Sequence, residues 1–153
     1  MASCRHNHAQ ALIGILDFEA AKDLLALSFD HYSQAKGPGA KETLTVSITR
    51  AQVERLLENP AAAEAILLTV MEAARRAADL SEVLEHAEAS LGGLWVKMGR
   101  YEDAEKVLAK AVERKGDDFT ARAQLCMVYK KQMKYDEAEE QAVILLSMVP
   151  EHL

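Results

Sequence analysis

The 153-residue chain is short of the residues that build sheets and chemical sites. Aromatics make up 5%, and there are 7 glycines, 3 prolines and 2 cysteines. Few aromatics and glycines, set against many Ala, Leu, Glu and Lys, disfavour sandwiches, barrels and glycine-rich phosphate-binding folds and favour helices. The two cysteines, Cys4 and Cys126, lie far apart and make no disulfide framework, which points to a reducing compartment. Positive charge is also in deficit. With 18 Lys and Arg against 24 Asp and Glu the net charge is −6, whereas a nucleic-acid binder would present a basic surface. No run of about 18 apolar residues is present to insert into a membrane. The opening Met-Ala-Ser-Cys-Arg-His-Asn-His has no apolar core of a signal peptide, and Arg5 is the sole arginine before Asp17, too few for a mitochondrial presequence. The expectation is a soluble, cytoplasmic protein, or one inside an organelle after loss of a presequence.

Chemistry-bearing motifs are missing as well. There is no glycine-rich phosphate loop, no HExxH and no CxxC. Serine is sparse, and no Ser or Cys sits beside a placed base. Cys4 and His8 stand four apart with His6 between them, so they could share a helix face as metal ligands. Two ligands are too few, and His31, His86 and His152 are scattered, so the favoured reading is a polar first turn of a helix. The pairs Asp117-Asp118 and Glu139-Glu140 are sequence neighbours; on a helix they point apart and read as caps and solvated faces. No catalytic residue, metal ligand or cofactor is assigned, and the chain is not expected to be an enzyme.

What the sequence does hold is repetition. When the last third of the chain is laid on the stretch before it, Leu91 falls on Leu125, Trp95 on Tyr129, Lys97 on Lys131, Arg100 on Lys134 and Tyr101 on Tyr135. Glu102-Asp103 falls on Asp136-Glu137, Ala104 on Ala138 and Glu105 on Glu139. A fixed period of about 34 residues marks stacked helical hairpins. Small residues at Gly92, Cys126, Ala104 and Ala138 would let two helices approach, with Trp95 and Tyr129 filling the space between them. Met98-Gly99-Arg100-Tyr101 and Met133-Lys134-Tyr135 read as turns, each followed by acids suited to a helix start.

These residues resemble the tetratricopeptide-repeat family, whose unit is a pair of antiparallel helices. The family pattern falls on Glu88, Leu91, Gly92, Trp95, Ala104, Leu108, Ala111 and Gly116 in one unit, and on Arg122, Leu125, Cys126, Tyr129, Ala138, Ala142, Leu145 and Pro150 in the next. Charged Glu88 and Arg122 depart from the large residue expected, Gly116 from proline, and Ala142 and Leu145 also depart. Upstream, Ala9, Leu12, Phe18 and Ala21 fit a divergent unit that starts near Ala2. Another divergent unit has a first helix over about 41–58 and a second over about 60–79, with Asn59-Pro60 as cap and first-turn proline. Lys36-Gly37-Pro38-Gly39-Ala40 reads as a flexible loop. The fold class expected is all-α: one right-handed solenoid domain over residues 1–153, with eight helices in units 2–36, 41–80, 85–118 and 119–153.

The resemblance implies a non-catalytic scaffold or adaptor, a subunit of a larger assembly that holds a protein or peptide in a concave groove. The alternative is a dedicated chaperone or assembly factor for one client. From the positions family members use, the groove residues are His86, Ser90, Gly93, Lys97, Gln124, Met127 and Lys131. A subgroup of the family grips C-terminal carboxylates with Lys, Asn and Arg. Here those positions carry His6, Gln10, His86, Ser90, Thr120 and Gln124, so the basic fork is missing. Lys97, Lys130, Lys131 and Lys134 gather near the ends of the first helices of two units, where lysine also suits the helix dipole. The last helix is apolar all round. Val143, Ile144, Leu146, Met148 and Val149 are expected to contact a partner or a second subunit, since a terminal solenoid helix should be polar outside.

Overall fold

The computed structural model describes residues 2–148 and, among them, contains eight α-helices and no strand. They are α1 (Ala2–Gly14), α2 (Phe18–Lys36), α3 (Lys41–Leu56), α4 (Pro60–Ala74), α5 (Ser81–Lys97), α6 (Tyr101–Arg114), α7 (Phe119–Lys131) and α8 (Tyr135–Ser147), with a short 3-10 turn at Ala78–Leu80. The helices form four hairpins. Contacts divide them into two compact units, one ending at Ala87 and the other beginning at Glu88, so the division falls inside α5.

Local chemistry sets the helix ends. The Asp17 carboxylate accepts from the Ala20 N–H at 3.2 Å, and Asp118 accepts from Ala121 at 2.9 Å, each capping the helix that follows. Pro60 opens α4, where its missing N–H costs nothing. Within every hairpin the turn has three residues, and its middle one is left-handed: Leu16 (φ 65°), Glu58 (58°), Gly99 (74°) and Met133 (60°). In each, the next N–H reaches back five residues to close the preceding helix: Asp17 to Leu12, Asn59 to Glu54, Arg100 to Trp95 and Lys134 to Tyr129, at 2.8–2.9 Å. This is the Schellman arrangement, made four times with a single glycine.

The second hairpin is where the sequence expectation needs correction. Its helices end at Leu56 and Ala74, not near residues 58 and 79. The buried stripe of α4 (Ala63, Leu67, Val70, Met71, Ala74) stops at Ala74, and the next buried side chain, Leu80, anchors the 3-10 turn instead. Helix α3 forms despite the stretch Thr-Leu-Thr-Val-Ser-Ile-Thr, in which five of seven residues are β-branched. Thr45, Ser47 and Thr49 each donate their hydroxyl to the carbonyl four residues back, and burial of Leu44, Val46 and Val53 outweighs the propensity. The loop expected to be flexible is tied down: Gly37 N–H bonds Ser33 O, Thr43 donates to Gly37 O, and Lys36 pairs with Glu42.

In the first unit Ala9 and Ala21 are fully buried at the crossing of α1 and α2, and with Leu25, Val46 and Val53 they form a core covered by Phe18, Phe29 and Tyr32. In the second, Leu91, Leu94, Leu108, Ala104 and Val128 are buried. A Cβ built on Gly92 would stand 2.6 Å from Leu108 Cδ2, so α5 and α6 touch at a distance that only glycine allows. Cys126, at the same position of the next hairpin, donates its thiol to Ala138 O at 3.3 Å. Trp95 and Tyr129 are half-buried, and each carries a cation over its ring, Arg100 at 5.0 Å and Lys134 at 5.6 Å.

The charged departures Glu88 and Arg122 are buried, 1% and 7% exposed. Glu88 takes two bonds from Arg114, at 2.5 and 3.2 Å. Arg122 donates to Gln141 Oε1 at 2.6 Å and Gly116 O at 2.7 Å. These bonds tie α5 to the end of α6, and α7 to both α8 and the connector before it.

Gly92→Ala is expected to lower the stability by roughly 1–2 kcal/mol, because overpacking against Leu108 outweighs the usual helical gain of alanine; a urea titration reads it. Arg114→Met is expected to cost about 3 kcal/mol by leaving the Glu88 carboxylate without this partner, and adding Glu88→Leu should recover most of the loss. An equal or larger loss in the double variant would show that the pair is not the source.

Candidate partner-binding surface

The groove residues expected from the sequence occupy matching places on α5 and α7 in the second unit. Ser90, Gly93 and Lys97 recur one repeat later as Gln124, Met127 and Lys131, and each set, spaced by three and four, lies on one helix face. His86 is exposed but belongs to the part of α5 within the first unit. Ser90, Lys97 and Lys131 are exposed, and Met127 is 51% exposed. The structure brings Gly93 and Gln124 together: a Cβ on Gly93 would stand 3.4 Å from Gln124 Nε2. The Gln124 amide thus lies in the crevice of α5 and α7, its oxygen buried without a protein partner. Beside it Ala123, Cys126, Met127, Lys130 and Lys131 line an open depression of about 420 Å³.

The four lysines have different environments. Lys97, Lys130 and Lys131 are exposed and form no ion pair among the described residues. Lys134 is committed to Glu105, at 2.8 and 3.0 Å, and to the Tyr129 ring. The hydrogen bond from Lys134 pulls the Glu105 pKa below its ordinary value, and Glu105 in turn raises that of Lys134. Burial, followed by the nearby Glu105 charge, raises the Tyr129 phenol.

A larger hollow, about 930 Å³, was not anticipated from the sequence. Gly99, Tyr101, Glu105, Ala109, Gln132 and Lys134 are among its lining residues. Its charges are largely matched in place, by Lys134 with Glu105 and by Arg100 with Asp103 at 2.8 Å. Glu105 and Lys134 sit on different hairpins, far apart in sequence, so no local pattern announces the pair.

On α8 the outward residues are Val143 and Leu146, 58% and 73% exposed. Ile144 and Met148 are half-buried, and Val149 lies outside the described residues. Cys4 and His8 are exposed on α1, and His6 accepts or donates one hydrogen bond with Gln10 at 3.1 Å. Among the described residues no three His, Cys, Asp or Glu side chains converge, and no helix is long and apolar enough to cross a membrane.

No protein-family model matches the chain, and no curated protein matches it. Solved structures do. BtubC from P. vanneervenii matches with a TM-score of 0.85 at 14% identity, over 96% of this chain and 62% of BtubC. The apo form of RapI matches with a TM-score of 0.77 at 9% identity, over 94% of this chain and 41% of RapI. MamA (AMB-1) gives 0.70 at 13% identity, over 97% of this chain and 79% of MamA. The chain therefore spans less than two thirds of BtubC and of RapI. Likeness at these identities shows the fold, which is the all-α, tetratricopeptide-repeat-like one that the repeat period implies.

Glu105 is depressed in the folded state, so its pairing adds stability above the ordinary carboxylate value of 4.5 and loses it as pH falls through the lowered one. Glu105→Gln is expected to lower the urea midpoint at neutral pH and to converge on the wild type in acid. A gap unchanged down to pH of about 2, below ordinary carboxylate titration, would contradict this role.

Proposed function

We propose that the chain is a non-catalytic scaffold for protein–protein interaction that holds a partner segment against the outward face of α5 and α7. The observation that carries this reading is a pair of equivalent helix faces in the second unit. They combine a crevice (Gly93, Gln124), an exposed apolar contact (Met127) and lysines with no internal partner (Lys97, Lys131). Crevice and apolar area supply affinity, while the lysines favour acidic side chains and set register. The exposed Val143 and Leu146 of α8 form a second docking surface, in keeping with an adaptor or complex subunit. The tetratricopeptide-repeat-like fold supports the reading, since its paired helices present side chains on a rigid frame.

Affinity capture from native extract tests it with Ser90→Arg/Lys97→Glu, a double change confined to exposed positions of α5. Proteins retained by the wild type should fall at least severalfold while the circular dichroism is unchanged. Retention of the same proteins at the same level by a folded double variant would sink the α5 surface.

A further inference from the structure

We infer that the segment held by α5 and α7 is extended and carries two acidic side chains three residues apart, one for Lys97 and one for Lys131. The inference rests on the binding role given to this face and names the chemistry of its partner.

The chain is acidic as a whole, yet no Asp or Glu occurs from Ser90 to Arg100 or from Phe119 to Lys134. These stretches are the second half of α5, the whole of α7 and the turns that follow them. Three of their cations are spoken for within the fold. Arg100 pairs with Asp103, Lys134 pairs with Glu105, and buried Arg122 donates to Gln141 and to Gly116 O. Lys97, Lys130 and Lys131 stay exposed, with no acid within two turns of them on their own helix. On a protein of net charge −6 they make a local positive spot, which an acidic segment complements.

The repeat sets the distance between the acids. Lys97 and Lys131 hold the same position of successive repeats, so the step from α5 to α7 separates them. The approach of Gln124 to Gly93 shows that these helices are neighbours, and packed helices lie about 8–10 Å apart, axis to axis. A polyproline-II chain, with three residues per turn and a rise of 3.1 Å, places residues i and i+3 on one face about 9.3 Å apart. A β-strand offers same-face spacings of about 6.6 or 13 Å, which fall short or overshoot. A helix reaches about 10.5 Å at seven residues, but its breadth of about 10–12 Å makes it bridge over the crevice at Gly93. An extended segment with acids at i and i+3 meets both lysines and still enters the crevice.

One turn before the lysines, Gly93 and Met127 hold equivalent positions and differ in kind. On α5 the floor has no side chain, and on α7 it is an exposed thioether over the 420 Å³ depression. Between its acids the segment therefore sets backbone or a small residue against α5 and an apolar side chain against α7. Lys130 adds charge at the wall of the depression but does not set the spacing, because its counterpart on α5 is Val96.

Fluorescence anisotropy of the full chain with labelled twelve-residue Pro/Ala peptides tests the spacing. Each peptide carries one Leu and two Glu, set one, two, three or five residues apart, and an alanine-based helical peptide sets them seven apart. The spacing of three should bind at least threefold more tightly than any other at low salt, and the advantage should shrink at about 0.5 M salt. Lys97→Glu should weaken that peptide at least threefold with unchanged circular dichroism, and exchanging one of its two glutamates for lysine should restore binding. Lys131→Glu should be restored by exchanging the other glutamate. Equal affinity at every spacing, tightest binding by the helical peptide, binding of no peptide, or rescue by neither exchange overturns the inference. None of these outcomes decides the α5 surface, which is read by capture with Ser90→Arg/Lys97→Glu.

Discussion

Gly92 and Leu108 stand so close that a single methyl group could not be placed between them, and the same demand for thinness recurs at other helix crossings. Ala9 and Ala21 meet it in the first hairpin, Gly92 and Ala104 in the third, Cys126 and Ala138 in the fourth. Close approach lets the larger residues on either side, such as Leu25 and Leu91, bury completely. With α5 and α6 so placed, Glu88 and Arg114 fall within reach of each other, and the placing of α7 beside them brings Gln124 onto Gly93. The candidate surface therefore inherits its spacing from interior glycine and alanine, although it is built of lysine, methionine and glutamine.

The fold was legible in the residues that repeat. Small positions and half-buried aromatics recur from one unit to the next because packing permits few substitutes there, and the helix starts at Pro60, Tyr101 and Tyr135 carry their own signals. Less was legible where tertiary context overrode a local rule. Glu58 and Met133 take left-handed backbone without being glycine, so neither turn shows the residue that usually marks one. Glu88 and Arg122 look like surface charges and are buried, because each finds partners on other segments. The end of α4 at Ala74 follows from which side chains lie inside, and the alanine- and arginine-rich sequence runs on without a break.

Of the candidate surface, the sequence positions identify the exposed lysines but do not separate those that are committed from those that are available. Lys134 resembles Lys130 and Lys131 in sequence, yet its partner Glu105 lies one hairpin away. The hollow around that pair is larger than the depression on α7, yet Lys134 and Arg100 at its wall are already paired, with Glu105 and Asp103. The smaller depression on α7 has an apolar floor and unmatched lysines. Size and unmatched charge thus go separately in these two hollows.

The hairpin turns are uniform in a way the rest of the chain is not. All four span three residues, while the helices range from 13 to 19 and the connectors between hairpins differ in length. A turn closed by a backbone bond five residues long has no slack: one added residue breaks the bond and rotates the next helix away from its groove. The segments 37–40, 75–80 and 115–118 have no such closure in common. For protein engineering, this divides the chain into joints of fixed gauge and connectors of unequal length, and an inserted epitope or linker belongs in the connectors, placed so that ties such as Thr43 to Gly37 O and Asp118 to the Ala121 N–H are kept.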